Sequence, residues 1–269
     1  MEKTYKEFYG KNTEQMPKLL AEGLVPANAS DIMKYRLKGD NFFINNYFDT
    51  SDLIAYDSDK SDKIKFILTV NNNGKITKNG RNALNLINPQ ESLISGAMGS
   101  QDKYGSLSGN GIIEISKSEL GKLNEYLTRD EILNSKSWRI LARHPNEVPK
   151  EYAEDEKLLL EYADKIQSIT RDRTNMGVFL DSHSKNSKLR AWFLYRPECR
   201  SNASASNYLD DIYGRFVGFS GGATEKSRLE KEVLVAPTLK QILKLGKNYI
   251  PKAVQKQFEE EIKNLYNKK

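Results

Sequence analysis

The sequence predicts an α+β fold with mixed antiparallel sheets, flanking helices and a helical C-terminal appendage. Aromatic-rich or alternating segments typical of strands are interspersed with segments whose apolar residues recur at helical spacing. Hydrophobic residues make up 38% and charged residues 29% of the 269 residues, the balance of a folded protein with one principal core. Helices that begin at Pro237 and Pro251 follow the last strand, so we expect a domain over 1–223 and an appendage over 224–269.

The N-terminal region is predicted to begin with helices. Apolar residues of 13–22 recur at helical spacing and end before Gly23, which indicates a short amphipathic helix. Ser30 and Asp31 are expected to cap a second helical turn, because short polar side chains bond the free amides at a helix start.

Strands are predicted next. Aromatic residues crowd the segment 41–56, which favours buried or half-buried strands. The segment 63–70 is rich in β-forming residues, 71–74 supplies a turn, and 75–77 begins a return, so these segments together predict a hairpin.

The middle of the chain is predicted to mix a loop, a strand and helices. The glycine-rich stretch 96–111 indicates a loop that leads into a strand over 111–115. Ser116 or Ser118 is expected to cap a helix that runs to about Leu127.

A further helix and three strands complete the predicted domain. The apolar spacing in 151–169 predicts a helix. Strands are expected over 177–180, 189–195 and 214–219, with a polar, irregular segment between the last two.

The basic balance of the chain is a property shared with nucleic-acid-binding proteins, since the net charge is +6 and the pI is near 9.1. The lysines are scattered and interleaved with acidic residues, as in 151–157 and 259–263, which is typical of a solvated surface with salt bridges. We therefore disfavour nucleic acid as the partner, although an affinity that falls steeply with salt would restore that hypothesis.

The sequence also bears on location. Residues 1–10 lack the apolar stretch of a secretory signal, and no apolar run is long enough to span a membrane. The single cysteine, Cys199, excludes an internal disulfide, which suits assembly inside a cell. A protein with these properties that acts outside the cell needs a carrier, such as a virion.

The acidic run Asp57, Asp59 and Asp62 begins like a calcium-binding loop. Glycine is absent from the sixth position, however, and Leu68 occupies the twelfth, where glutamate is required. A solvated turn between strands is the favoured interpretation, so we expect no metal site here.

Other catalytic or cofactor-binding motifs are incomplete. His144 and His183 are the only histidines, and neither has a metal-ligand spacing with Cys199. The glycine-rich stretch lacks the Gly-Lys-Ser/Thr sequence that cradles phosphates. We expect no cofactor and no catalytic residue, and one enzymatic hypothesis remains: Cys199 as a nucleophile with a distant histidine as its base.

A gap in lysine usage is the most informative anomaly. No lysine occurs between Lys188 and Lys226, where the basic residues are all arginines: Arg190, Arg196, Arg200 and Arg215. From 193 to 213 there is also no Gln, Met or Trp, and apolar residues follow no period. An asparagine codon with randomised adenines encodes most residue types found here, but not Lys, Glu, Gln, Met or Trp. The composition indicates either a segment mutagenised at adenines or a polar loop that lacks lysine by chance.

The same region resembles the variable repeat of proteins diversified by retroelements, in particular archaeal and archaeal-virus members. The resemblance rests on a frame of ten residues within about 192–217 and just beyond it: Trp192, Arg196, Arg200, Ser201, Ala203, Leu209, Gly214, Arg215, Val217 and Gly218. Glu198, which the codon argument excludes from variation, belongs with the frame. The resemblance implies that the interleaved positions are the altered ones: Leu194, Tyr195, Pro197, Cys199, Asn202, Ser204, Ala205, Ser206, Asn207, Tyr208, Asp210, Asp211, Ile212 and Tyr213. We call 192–217 the variable window.

The variable proteins of diversity-generating retroelements have a C-type lectin fold that is used without calcium. The resemblance implies the same fold here, and a non-enzymatic, receptor-like protein whose interleaved side chains face solvent on a fixed backbone. Trp192, Leu209 and Val217 are expected to be buried, while tyrosines and small polar residues contact the ligand. The implied partner is a protein or glycan, on a host cell surface for example, and the implied location is a virion or a cell surface.

Two alternatives stay open from the sequence. The related formylglycine-generating enzymes use cysteines on a similar scaffold, so an enzyme that uses Cys199 is one. A basic nucleic-acid-binding protein is the other. The C-terminal helices extend beyond the usual pattern of the family, in which the variable repeat lies closer to the chain end.

Overall fold

The computed structural model describes residues 5–57, 62–87, 101–180, 187–220 and 260. The chain divides into two compact units, Met1–Gly221 and Gly222–Lys269. In the second unit only Glu260 is described, in helical conformation. The helices predicted to begin at Pro237 and Pro251 lie outside the described residues.

The first unit contains both strands and helices along the described chain. The strands are β1 (Tyr5–Tyr9), β2 (Leu24–Pro26), β3 (Phe48–Tyr56), β4 (Lys63–Ile67), β5 (Ile112–Ser116), β6 (Leu127–Thr128), β7 (Thr174–Asn175), β8 (Val178–Leu180), β9 (Lys188–Leu194), β10 (Ala203–Ala205) and β11 (Arg215–Ser220). The α-helices are α1 (Asn12–Ala21), α2 (Ala29–Leu37), α3 (Asn41–Asn45), α4 (Lys78–Leu84), α5 (Gln101–Ser106), α6 (Arg129–Asn134), α7 (Lys136–Leu141) and α8 (Leu158–Thr170). Short 3₁₀ helices cover Lys117–Leu120 and Pro197–Cys199.

A three-stranded antiparallel sheet joins the beginning of the unit to its end. Strand β11 lies between β1 and β2, with Tyr9 opposite Arg215. The amide of Gly10 donates to the carbonyl of Gly214 at 2.8 Å, which extends the pairing of β1 and β11 by one bond. The N-terminal strand therefore holds the strand that ends the variable window.

A six-stranded sheet in the order β5-β4-β3-β9-β10-β8 forms the centre. Its neighbours are antiparallel except for β10 and β8, which are parallel. Phe48, Leu194, Ala203 and Val178 lie opposite one another across four strands, and all are fully buried in one core cluster. These four residues therefore mark the core face of the sheet.

Helices α2, α7 and α8 contribute to that main core through residues such as Ile32, Trp138 and Tyr162. The indole N–H of Trp138 donates to the carbonyl of Met176 at 2.6 Å, so the polar atom of this buried ring is satisfied. A second apolar cluster includes Leu19 of α1 and Leu84 of α4. The two clusters between them bury most of the aromatic and aliphatic residues of the described chain.

The predicted first helix is confirmed by α1, and the second is present with a different cap. Asn28 caps α2, since its side chain accepts from the amide of Asp31 while Asp31 accepts from the Asn28 amide. Ser30 lies inside the helix and donates to the Asn28 side chain at 2.7 Å. The prediction that Ser30 caps the helix was wrong, because Asn28 already supplies the first acceptor.

Strand predictions for 41–56 hold only from Phe48 onward. Asp40 accepts hydrogen bonds from the amides of Phe42 and Phe43, which starts the short helix α3 instead of a strand. Aromatic residues favour strands in general, but this local cap decides the structure.

The predicted hairpin is only partly formed. The turn at 71–74 exists, with the Gly74 amide bonded to the Asn71 carbonyl at 3.0 Å. The return makes a single bridge between Val70 and Ile76, whereas β4 pairs with β3 and β5. Sheet pairing with distant strands thus outweighs the local hairpin.

Two predicted helices differ in length. Ser116 and Glu119 form a capping box, as expected, but the helix ends at Leu120 because Gly121 has φ 81°. Helix α8 starts at Leu158, later than predicted. Helices α4, α6 and α7 were not predicted. The glycine-rich stretch was predicted as a loop, but its residues 101–106 form α5, and the part before 101 lies outside the described residues.

Candidate ligand-binding surface

The first turn of the variable window is held by a buried arginine from α2. The Arg36 guanidinium donates to the Ser201 hydroxyl at 2.9 Å and to the Tyr162 hydroxyl at 2.7 Å. It also donates to the carbonyls of Phe43 and Asn46, both at 2.9 Å. Buried charges are costly unless their donors are satisfied, so this network fixes the residues that it contacts.

Ser201 needs such a contact because its backbone is unusual. Arg200 and Ser201 have φ of 65° and 46°, in the left-handed region that non-glycine residues rarely adopt. The Arg200 carbonyl accepts from the Met176 amide at 3.0 Å. The turn is therefore fixed from two sides, by α2 and α8 through Ser201 and by the β7–β8 connection through Arg200.

Asn202 ties the window to the edge strand. Its side-chain oxygen accepts from the Gly177 amide at 2.7 Å, and the Ala203 amide donates to the Gly177 carbonyl at 3.0 Å. A Cβ on Gly177 would lie 2.4 Å from the carbonyl oxygen of Glu125, so only glycine fits there. The Asn202 side chain therefore holds the backbone at Gly177 and is not part of the exposed surface.

The second part of the window is held through its backbone. The Leu209 carbonyl accepts from the Thr13 amide at 3.0 Å, and the Tyr213 carbonyl accepts from the Tyr47 hydroxyl at 2.7 Å. A Cβ on Gly214 would lie 2.4 Å from the carbonyl oxygen of Gly10, which explains glycine at this position. Residues 206–213 are otherwise largely open to solvent.

Most of the frame named from the sequence is buried. Trp192, Leu209 and Val217 are 0%, 2% and 1% exposed, as predicted. Four more members are buried: Ser201, Ala203, Gly214 and Gly218. The arginines are the members that reach the surface: Arg196 is exposed, and Arg200 and Arg215 are partly buried.

The interleaved positions fall into two groups. Nine are exposed or partly exposed: Tyr195, Cys199, Ser206, Asn207, Tyr208, Asp210, Asp211, Ile212 and Tyr213. The expectation that all of them face solvent was wrong for five, which are buried: Leu194, Pro197, Asn202, Ser204 and Ala205. The reason is that β9 ends at Leu194 and β10 covers 203–205, so these residues belong to the central sheet or its connection.

The face of the central sheet opposite the main core forms the floor of the site. Asp49, Phe193, Ser204 and Phe179 lie opposite one another, in the row next to the core-facing row. Tyrosine rings pack along this row. The ring centroids of Tyr47 and Tyr195 lie 5.1 Å and 4.6 Å from that of Phe193, and the ring centroid of Tyr126 lies 5.8 Å from that of Phe179. We call these seven residues the tyrosine platform.

Exposed aromatic surface is concentrated around the platform. Seven large hydrophobic side chains are exposed in the described chain, and four of them lie between 195 and 213: Tyr195, Tyr208, Ile212 and Tyr213. The Tyr208 ring lies 4.9 Å from the guanidinium of buried Arg190. Tyrosine offers large, rigid contact area with a polar tip, so this surface is suited to binding.

A buried carboxyl group, that of Asp49, lies in the tyrosine platform. Burial raises the pKa of Asp49 to about 7, opposed by the hydrogen bond from the Arg215 amide and reinforced by Asp211. The Arg215 side chain is paired with Glu7 at 2.8 Å and stacks on Tyr47. Among the described residues, no lysine or arginine forms an ion pair with Asp49.

The two described candidate residues for catalysis, Cys199 and His144, have separate surroundings. Cys199 is exposed, with the Arg196 Nε atom 3.2 Å from its sulfur, whereas His144 contacts Arg139 and Asn146 near the end of α7. His183 and Asp59 lie outside the described residues. Across the described ranges, no group of three or more His, Cys, Asp or Glu side chains is arranged to hold a metal ion. Nor is any helix there long and apolar enough to cross a membrane.

Several residues of the site were not found from the sequence. Arg36, Tyr162 and Asp49 are far from the window in sequence, and no local pattern marks them. Tyr47 belongs to the aromatic segment 41–56, from which the sequence predicts strands but no binding surface. Tyr126 carried no signal at all, because its position beside the window arises from the pairing of β6 with β7.

Comparison with solved structures identifies the architecture. A structure from Nanoarchaeota, described as accommodating massive sequence variation by the C-type lectin fold, superimposes with a TM-score of 0.52. The match covers 81% of this chain and 97% of the other, at 13% sequence identity. This chain has a C-type lectin fold. The low identity limits the likeness to the fold, and neither a protein-family model nor a curated protein matches the sequence.

Proposed function

We propose that this protein is a non-enzymatic, receptor-like binding protein whose exposed window residues are diversified by retroelement-driven mutagenesis of adenines. One observation carries the proposal. Nine interleaved side chains are open to solvent, while the backbone beneath them is held by groups elsewhere in the C-type lectin scaffold. Such a surface can change its side chains and keep its shape.

The composition of the surface supports binding rather than catalysis. Its tyrosines provide contact area at low conformational-entropy cost, and its Ser, Asn and Asp residues form adaptable hydrogen bonds. The proposed ligand is a protein or glycan, on a host cell surface for example, while the protein itself is carried on a virion or a cell surface, and no cofactor takes part. The neighbour from Nanoarchaeota, with its massive sequence variation, has the same scaffold.

The encoding DNA provides the test. The proposal predicts a second copy of the segment that encodes the variable window, different almost only at adenines, beside a reverse transcriptase gene. The differences should be concentrated in the codons of the nine exposed positions. Absence of such a copy from the flanking DNA would contradict diversification by a retroelement.

A further inference from the structure

Tyr126 lies beside the variable window but belongs to a distant part of the sequence. Its ring is 44% exposed, contacts Phe179 of the tyrosine platform, and lies 4.3 Å from the Arg200 guanidinium. Tyr126 therefore extends the exposed surface of the window with a residue outside it.

The backbone around Tyr126 is rigidly attached to the sheet. The Asn124 amide donates to the Val178 carbonyl at 2.7 Å, and the Asn124 side chain accepts from the Leu180 amide at 3.0 Å. On the other side, Leu127 pairs with Asn175. Attachment on both sides fixes the position of Tyr126 before any ligand binds, which lowers the entropic cost of a contact.

The Arg200 side chain is also held in position, by contacts of its guanidinium group. It forms an ion pair with Asp172 at 3.0 Å while stacking on Tyr126. Tyrosine and arginine are the residue types that most often dominate binding energy at protein interfaces. Arg200 belongs to the frame and Tyr126 to the scaffold, so this pair stays the same when the nine exposed positions change.

We propose that Tyr126, stacked on Arg200, is a constant anchor that contributes affinity for protein partners whatever residues occupy the nine exposed positions. This inference rests on the proposed function. A protein partner is favoured because the exposed part of the window mixes tyrosines and Ile212 with charges of both signs: Arg196, Glu198, Asp210 and Asp211. Such mixing is typical of protein interfaces.

The test uses the full chain with the nine exposed positions randomised, displayed and selected for binding to lysozyme, ubiquitin or dextran. Tyr126→Ala is then introduced into several unrelated binders. We expect it to weaken each of them by about tenfold or more. Tyr126→Phe, which keeps the ring, should retain most of the affinity. Tyr5→Ala is the matched control, since Tyr5 is also exposed but contacts only rings outside the site. Thermal melting of each variant verifies folding.

Each outcome has a separate meaning. Binders that keep their affinity after Tyr126→Ala overturn the anchor and leave the proposed function standing. Binders to dextran, with none to either protein, overturn the assignment of a protein partner. A well-folded library that yields no binder to any of the three probes contradicts the proposed function itself, and the anchor with it.

Discussion

The two parts of the variable window differ in how the fold holds them. In 195–205 the fold uses side chains: Ser201 is bonded by Arg36 and Tyr162, and Asn202 is bonded to Gly177. In 206–213 it uses mainly the backbone, through the carbonyls of residues 209 and 213. A position held through its backbone can change its side chain, whereas a position held through its side chain cannot. The second part is therefore the freer surface for variation.

Removal of the buried arginine should produce the largest loss. In Arg36→Met the hydroxyls of Tyr162 and Ser201 and two carbonyls lose the guanidinium donor, so we expect a decrease of about 3 to 5 kcal/mol in the free energy of unfolding. Chemical denaturation measures this value. Arg196→Met is the control, because Arg196 is exposed, and a comparable loss there would show that the network is not special.

The buried carboxyl of Asp49 should make the free energy of unfolding depend on pH. The folded pKa of Asp49 is raised from 3.8 to about 7, mainly by burial. Between these values the folded state holds a proton that the unfolded state has released, so this group lowers stability as the pH rises from 4 to 7. Asp49→Asn should therefore gain about 2 to 4 kcal/mol over the wild type at pH 8 and little at pH 4. Melting curves at both pH values measure the difference in stability between the variant and the wild type. The same difference at pH 4 and pH 8 would contradict the raised pKa of Asp49.

The clamp between Asn202 and Gly177 should have an intermediate effect. Asn202→Ala leaves the buried Gly177 amide without an acceptor, which costs about 1 to 3 kcal/mol. Asn207→Ala in the freer part is the matched control and should change the free energy of unfolding by less than about 0.5 kcal/mol. Equal losses for the two asparagines would remove the distinction between the two parts.

The smallest effect is expected from several exposed changes together. Replacement of Ser206, Asn207, Asp210 and Ile212 by alanine should leave the melting temperature within about 3 °C of the wild type, because exposed substitutions usually cost little. Calorimetry checks this value. A much larger fall would mean that these side chains stabilise the loop.

The sequence predicted the class of fold and the burial of Trp192, Leu209 and Val217. These features depend on local composition and on a recognisable frame. It could not show that Ser204 and Ala205 are buried, because the strand that covers 203–205 forms only through pairing with β8 and β9. Nonlocal strand pairing decides the burial of these residues, and the lack of periodicity in this segment gives no local sign of the strand.

The partners from outside the window were invisible for a related reason. Arg36 lies 165 residues from Ser201 along the chain, and Asp49 lies 166 residues from Arg215. A single sequence carries no signal that connects such positions. The same applies to Tyr126, whose approach to the window depends on the short β6–β7 pairing.

The central claim, a variable surface on a fixed backbone, is tested most directly with two matched libraries. One randomises the nine exposed positions, and the other randomises the five buried ones, Leu194, Pro197, Asn202, Ser204 and Ala205. The measurement is the fraction of each displayed library that resists proteolysis. The account predicts that most of the exposed-position library remains folded and that little of the buried-position library does. Similar fractions in the two libraries would contradict it.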